Sequence, residues 1–261
     1  MLADYHVHTS FSDDSDTPME DAVKRAIELG LTEICFTEHV DYGVKTDLNC
    51  RYDEYFPELH RMRRVYGDRI VIRKGIEFGV QRHTVEQFEA DFRRYDFDFV
   101  ILSNHQIDDK EFWRYEYQPG KTQEAYQTEY YQAIYDVMRA YKNYSVLGHL
   151  DMIKRYDPAG EYPDEKILPM VSQIFKQAIA DGKGIEVNTS SFKYGIEDLT
   201  PSKKILKLYH DMGGEILTIG SDAHDTDRIA DHFDDVKTVL RDMGFTRICT
   251  FENMKPIFHK L

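Results

Sequence analysis

Seven short apolar runs, each followed by an amphipathic stretch, constrain this chain more than any other feature. The runs lie at 3–8, 33–39, 70–79, 97–105, 144–150, 184–190 and 215–222. Several are continuously apolar and rich in Ile, Val and Phe, as strands buried on both faces should be. Helical periodicity marks the intervening stretches 53–66, 84–95, 122–142 and 164–181, and the later ones 227–243 and 251–260. Thr17-Pro18-Met19-Glu20 reads as a capping box with proline at the first helical position, and Gly30 supplies the stop. Met19, Ala22, Val23, Ala26 and Ile27 recur at helical spacing between them. Thr200-Pro201 predicts a further helix start, with the end near Gly213-Gly214, and Pro169 is expected to kink the helix it falls in. Strands alternating with helices imply an α/β fold with a mostly parallel sheet, open or closed. No repeat or long linker divides the 261 residues, so residues 1–261 are expected to form one domain.

Composition removes several function classes. A formal charge of −14 gives no attraction for a phosphate backbone, so no nucleic acid partner is expected. No apolar run reaches membrane-spanning length, and Met1 leads almost directly into the first strand without a signal segment. A cytoplasmic location without membrane contact is expected. Cys35, Cys50 and Cys249 are odd in number and widely spaced, which favours reduced structural thiols over a disulfide framework or a cysteine zinc site. The segments 41–52 and 106–121 read as solvated loops; the second carries Trp113, Tyr115 and Tyr117 and is either a lid or a plain surface loop.

The polar residues fall on this map in a pattern. Asp4-Tyr5-His6-Val7-His8 puts two imidazoles on one face of an extended strand. Taken alone, that pair is either half a metal site or an accident of packing around Val7. The next strands end in Thr37-Glu38-His39, Gly75-Ile76-Glu77, Ser103-Asn104-His105 and Gly148-His149, and the last two in Glu186-Val187-Asn188 and Ser221-Asp222-Ala223-His224. Six of eleven histidines thus lie at strand C-terminal ends, which open on one face of a parallel barrel. Packing does not account for such a ring, and a buried Glu77 or Asp222 is costly without a cation. Imidazoles and carboxylates without thiolates suit Zn, Mn or Fe better than Ca or Mg. The donors exceed what one ion can use, so two or three divalent ions are implied, with Glu77 able to bridge two of them. Closely spaced cations suit displacement at phosphorus, since they generate hydroxide near neutral pH and hold the attacking and leaving oxygens.

In these motifs the chain resembles the PHP (polymerase and histidinol phosphatase) superfamily, and within it the stand-alone histidinol-phosphate phosphatases. Ile34-Cys35-Phe36-Thr37-Glu38-His39, Tyr95-Asp96-Phe97-Asp98-Phe99 and Glu186-Val187-Asn188-Thr189-Ser190 add to the likeness. The resemblance implies a distorted (β/α)7 TIM-like barrel with a trinuclear metal centre at the strand C-termini. One metal would take His6, His8, Glu77 and Asp222; a second would share Glu77 and add His105 and His149. The third would use His39 and His224 with a ligand from the loop after the first strand. Some relatives carry a histidine where this chain has Asp14, so a carboxylate is expected there, with Asp13 and Asp16 as neighbours able to substitute.

The implied activity is hydrolysis of L-histidinol phosphate to L-histidinol and phosphate, in histidine biosynthesis, by metal-activated hydroxide. Arg155, Lys193 and Arg228 are candidate phosphate-binding cations, Arg being favoured for its bidentate fork. Asp222 and His224 are candidate acids for the leaving alkoxide, although both are also expected ligands. No Ser or Cys nucleophile with an adjacent base is visible, which disfavours a phosphoenzyme. A PHP phosphoesterase acting on a nucleotide, phosphotyrosine or DNA end, and a non-catalytic metal-binding domain, remain as alternatives. His60, His210 and His259 fall in predicted helices and read as surface or packing residues, while His83 and His232 follow strands and could reach substrate. Tyr126, Tyr130, Tyr131 and Tyr135 follow helical spacing and read as core. Nothing in the sequence sets an oligomeric state.

Overall fold

The computed structural model describes residues 2–261. Its elements begin with β1 (Ala3–Val7), α1 (Met19–Glu28), β2 (Glu33–Phe36), β3 (His39–Val40) and α2 (Tyr52–Tyr66). Then come β4 (Val71–Gly79), α3 (Val85–Arg94), β5 (Phe99–Ser103), β6 (Gln106–Ile107), β7 (Lys110–Glu111) and α4 (Gln123–Ala140). The chain continues through β8 (Val146–Leu147), α5 (Asp164–Ala180), β9 (Gly184–Asn188), α6 (Lys203–Asp211) and β10 (Leu217–Gly220). It ends with α7 (Phe233–Met243), β11 (Arg247–Glu252) and β12 (Lys255–Lys260).

Seven strands pair in parallel in the order β1-β2-β4-β5-β8-β9-β10, and the two-residue β3 extends the sheet by pairing His39 with Glu77. The sheet curls until β1 and β10 meet at their C-terminal ends. There the Asp222 amide donates to His6 O at 2.8 Å and the His8 amide donates to Ala223 O at 2.8 Å. The result is a nearly closed parallel barrel of the expected TIM-like kind. Its interior is filled by Ala3, Tyr5, Cys35, Phe99, Ile101 and Val146, while most of the remaining apolar core lies between strands and surrounding helices.

Three expectations are corrected. The stretch 251–260 is an antiparallel hairpin, not a helix: Asn253 and Met254 both take positive φ (50° and 64°) and turn β11 directly onto β12. That hairpin plugs the barrel floor, with Phe251 5.0 Å from Phe99 between ring centres. Thr17 does not cap α1; Pro18 stands at the cap, and the Thr17 hydroxyl donates to His224 O at 3.0 Å, tying the first loop to the last. The helix after Pro201 starts at Lys203, where Ser202 Oγ accepts from the Ile205 amide at 3.3 Å. α5 continues through Pro169 in its second turn, where the missing amide forgoes one bond, to the Glu165 carbonyl.

Strict alternation along β1 also fails. Against β2 the strand carries one extra residue between Asp4 and Val7, a bulge that re-aims its side chains. Asp4 therefore stays below the mouth and staples the seam. Its Oδ1 accepts from the Ser221 amide at 3.0 Å and the His6 amide at 3.2 Å, and its Oδ2 accepts from the Ser221 hydroxyl and, at 2.9 Å, the Ala230 amide. Burial pushes the Asp4 carboxyl up to about 6 despite these four donors. The staple holds Asp222 in a left-handed conformation (φ 55°), which aims its carboxylate back across β1. Replacing Asp4 with Asn sets an amide NH2 against buried donors. It should cost about 1–3 kcal/mol of stability, read as a lower urea midpoint for the metal-free protein; an unchanged midpoint would remove Asp4 as the seam staple.

Candidate metal centre

The strand ends deliver their polar side chains to one point. β4 places Glu77, fully buried, at the centre of the mouth. Around its Oε2 stand His6 Nε2 at 3.3 Å, His8 Nε2 at 3.5 Å and His39 Nδ1 at 2.9 Å. Around its Oε1 stand His105 Nε2 at 3.1 Å and His149 Nε2 at 2.8 Å. Asp222 Oδ1 closes the first side, 3.6 Å from His6 Nε2 and 3.5 Å from His8 Nε2. Asp14 Oδ2 lies 3.2 Å from His224 Nε2 and 3.6 Å from His39 Nε2. All nine residues expected at the centre are therefore brought together.

The donors fit divalent cations. His6 Nε2, His8 Nε2, His39 Nδ1 and Glu77 Oε2 are buried and close, yet none has a partner in hydrogen-bond geometry. Four such atoms at one spot are not what packing leaves behind; they are disposed as ligand atoms around shared points. Four triads bring their donor atoms within 4.8 Å of one another: His6/His8/Glu77, His39/Glu77/His105, His6/His149/Asp222 and His8/His39/His224. These groups cut across the expected partition. His39 reaches Glu77 through one nitrogen and Asp14 through the other, so it borders the second group as well as the third.

Electrostatics point the same way. Burial works against ionised Glu77, but His6, His105 and His39 outweigh it and hold the carboxyl well below the usual range. Asp222 is likewise held low against burial by His6, His8 and Arg155. Burial opposes a charged His6, yet Glu186, Glu77 and Asp222 lift its pKa well above the ordinary imidazole value. His39 is lifted in the same way by Glu77 and Asp14, and His105 goes up to about 9 through Asp41 and Glu77. His8, buried between His39 and His224, is driven down. Two carboxylates thus collect the positive charge that cations would supply.

Beside the cluster opens a cavity of about 340 Å³ lined by Asp14, Asp41, Lys45, Trp113, Arg155, Tyr156, Lys193 and Tyr194 as well as His39, His105 and His224. The Arg155 side chain is only 4 % exposed; its Nη1 donates to Asp222 Oδ2 at 3.3 Å and its Nη2 to Asn188 Oδ1 at 3.3 Å and to the Ser190 hydroxyl. Lys193 lines the same cavity. Arg228 does not: it sits on the turn after β10 and donates to Asp231 at 2.7 Å. His83 pairs with Asp109 at 3.1 Å and His232 stacks on Phe192, both away from the cluster. His259 lies on β12, bonded to Thr250.

Several cavity residues were not singled out from sequence. Asp41 sits two residues after His39, so strand periodicity in the short β3 pairing was a usable signal for it. Lys45 had none: it is fixed by tertiary partners, Asp13 at 2.7 Å and the Trp113 ring at 4.8 Å. The segment 106–121 is neither a free lid nor a plain loop. Buried Phe112, Tyr117 and Gln118 anchor it, and Trp113 is turned to the cavity, 6.4 Å from Tyr156, which stands 6.2 Å from Tyr194.

Comparison with known proteins agrees with this geometry. The PHP domain model matches residues 4–190. A Lactococcus lactis histidinol-phosphatase is 33% identical over 259 residues, covering 97% of this chain and 95% of that protein. The crystal structure of a histidinol phosphate phosphatase from the same organism, complexed with zinc, L-histidinol and phosphate, superposes with a TM-score of 0.89 at 32% identity, covering 98% of each chain. A Listeria monocytogenes structure, 18% identical, shares the fold at a TM-score of 0.77 over 89% of this chain and 99% of its own. With motif order, barrel and cluster all in agreement, the chain belongs to the PHP domain family.

Proposed function

We propose that this chain is a divalent-metal-dependent phosphomonoesterase that hydrolyses L-histidinol phosphate to L-histidinol and phosphate. The observation that carries this reading is six imidazoles converging on Glu77 and Asp222 beside a buried arginine. It is supported by near-full-length likeness to a phosphatase whose structure contains zinc, histidinol and phosphate. In this reading two or three ions, of Zn, Mn or Fe, are held by His6, His8, Glu77 and Asp222, by Glu77, His105 and His149, and by His39, His224 and Asp14. When bound, such ions polarise phosphoryl oxygens and lower the pKa of water towards neutrality.

The chain's own groups do the rest. Burial tends to lower the Arg155 pKa, but Asp222 and its neighbours raise it, so the fork stays cationic; Ser190 and Asn188 fix its plane towards the phosphoryl group. Lys193 adds a point charge at the cavity wall. Asp222, held anionic by His6, His8 and Arg155, is a poor proton donor. His224 has no proton to spare either, since its Nδ1 meets the Asp222 carbonyl at 2.9 Å and its Nε2 is given to an ion, so the leaving alkoxide takes its proton from water in the open cavity. Trp113, Tyr156 and Tyr194 offer aromatic faces to the histidinol imidazole. A cavity of this size in a chain of net charge −14 suits a small phosphoester better than a nucleic acid. No helix among the described residues is long and apolar enough to cross a membrane. Three buried, unpaired cysteines support a reducing, cytoplasmic setting.

Turnover of histidinol phosphate should exceed that of nucleoside monophosphates, phosphotyrosine peptide and single-stranded DNA when metal content is measured on the same preparation. Absence of turnover of any phosphoester by metal-loaded protein would contradict the reading. Arg155→Ala should raise KM by about 10- to 100-fold with metal content intact, and Arg155→Lys should restore only part of it; an unchanged KM would take Arg155 out of the phosphate pocket. Neighbouring carboxylates raise the pKa of His6, His39 and His105 without metal, so zinc competes with protons at these imidazoles. At His105 this competition is full at low pH and fades as pH rises through about 9. Calorimetry in buffers of different ionisation heat should therefore report net proton release on zinc binding at neutral pH, with apparent zinc affinity climbing as pH rises. No buffer dependence would contradict it.

A further inference from the structure

Two carboxylates behind the cluster have no part in the reading above. Glu186, on β9 and 1 % exposed, places Oε1 2.5 Å from His6 Nδ1. Its Oε2 accepts from the His149 amide at 2.9 Å and from Asn188 Nδ2 at 3.2 Å. Asp41, just after β3 and 2 % exposed, places Oδ1 2.9 Å from His105 Nδ1, and its own amide donates to Asn49 Oδ1 at 2.6 Å. Each therefore meets the far nitrogen of an imidazole whose Nε2 faces Glu77. The remaining imidazoles are held differently. His8 Nδ1 has the Ser12 hydroxyl at 3.1 Å and His224 Nδ1 a backbone carbonyl at 2.9 Å, while His149 Nδ1 has no partner.

The backbone makes room for both pairs. A Cβ on Gly220 would lie 2.3 Å from Glu186 Oε1 and 2.4 Å from His6 Cβ. A Cβ on Gly79 would lie 1.8 Å from Asp41 Oδ1 and 2.9 Å from His105 Nδ1. On two separate strands, glycine stands where any side chain would collide with a carboxylate–imidazole pair. Burying a carboxylate is costly unless strong donors or cations face it, and an imidazole bound to a cation through Nε2 is such a donor.

We propose that Glu186 and Asp41 are positioning residues for the metal centre. Each accepts the Nδ1 proton of one ligand imidazole, fixes the tautomer that leaves Nε2 free, and strengthens that nitrogen as a donor; Gly220 and Gly79 are the clearances that permit it. The proposal rests on the metal-centre reading and extends it to carboxylates that stand behind the ligand imidazoles and are not themselves ligands.

Zinc titration of the full chain against a competing chelator tests it, with Glu186→Gln and Asp41→Asn beside the parent. Each substitution should weaken one bound ion by about 10- to 100-fold and leave the others within twofold, and the two should affect different ions. The zinc-loaded parent should also show hydrogen-bonded Nδ1 protons of His6 and His105 in imidazole 15N correlation spectra, a measurement that needs no variant to fold. Unchanged zinc affinities in both variants, simultaneous loss of every ion, or absence of those Nδ1 protons would overturn the proposal. A parent that binds no zinc would overturn the metal-centre reading itself, and so separates the two failures.

Discussion

Everything at the barrel mouth depends on one buried carboxylate. Glu77 has no solvent contact, and its two oxygens divide five of the six imidazoles between them, three on one side and two on the other. An ionised carboxylate in such a place is tolerable only if positive charge surrounds it. Protonated histidines would supply that charge without metal; in the proposed reading bound ions would supply it, with Glu77 able to bridge two of them.

The barrel exists to hold that point. Seven parallel strands end on one face, so residues far apart in sequence meet without long excursions. The seam between β1 and β10 matters most, because His6, His8 and Asp222 come from opposite sides of it. The bulge in β1 turns Asp4 into a staple across the seam, and the left-handed Asp222 returns its carboxylate to β1. Glycines at 79 and 220 then clear space for the carboxylates behind His105 and His6. Arg155 completes the arrangement by bonding to Asp222 while presenting its fork to the cavity.

Much of this was legible in the sequence, for a physical reason. In a parallel sheet the C-terminal end of every apolar run must reach one face, so His39, Glu77, His105 and His149 could be placed there without knowing how the strands pair. Asp14, a loop residue that only the family resemblance pointed to, with Asp13 and Asp16 as alternatives, meets His39 and His224. What escaped was whatever depends on turn geometry or tertiary partners. Arg228 follows the Asp222/His224 motif closely, but the turn after β10 sends it to Asp231 instead. Lys45 reaches the cavity only because Asp13 and Trp113 hold it there. The 251–260 stretch carries a short apolar pattern that suits helix and strand alike, and its Asn253-Met254 turn lacks the glycine that usually marks a hairpin.

In the proposed site Glu77 joins the two sides of one multi-ion centre. Metal analysis and zinc titration of Glu77→Gln, a nearly isosteric change that removes the charge, read this out. Ions should be lost from both sides of the cluster together, in a protein that still folds and has no phosphatase activity. A variant that keeps the parent's full metal complement at parent affinity would show that Glu77 does not join the two sides.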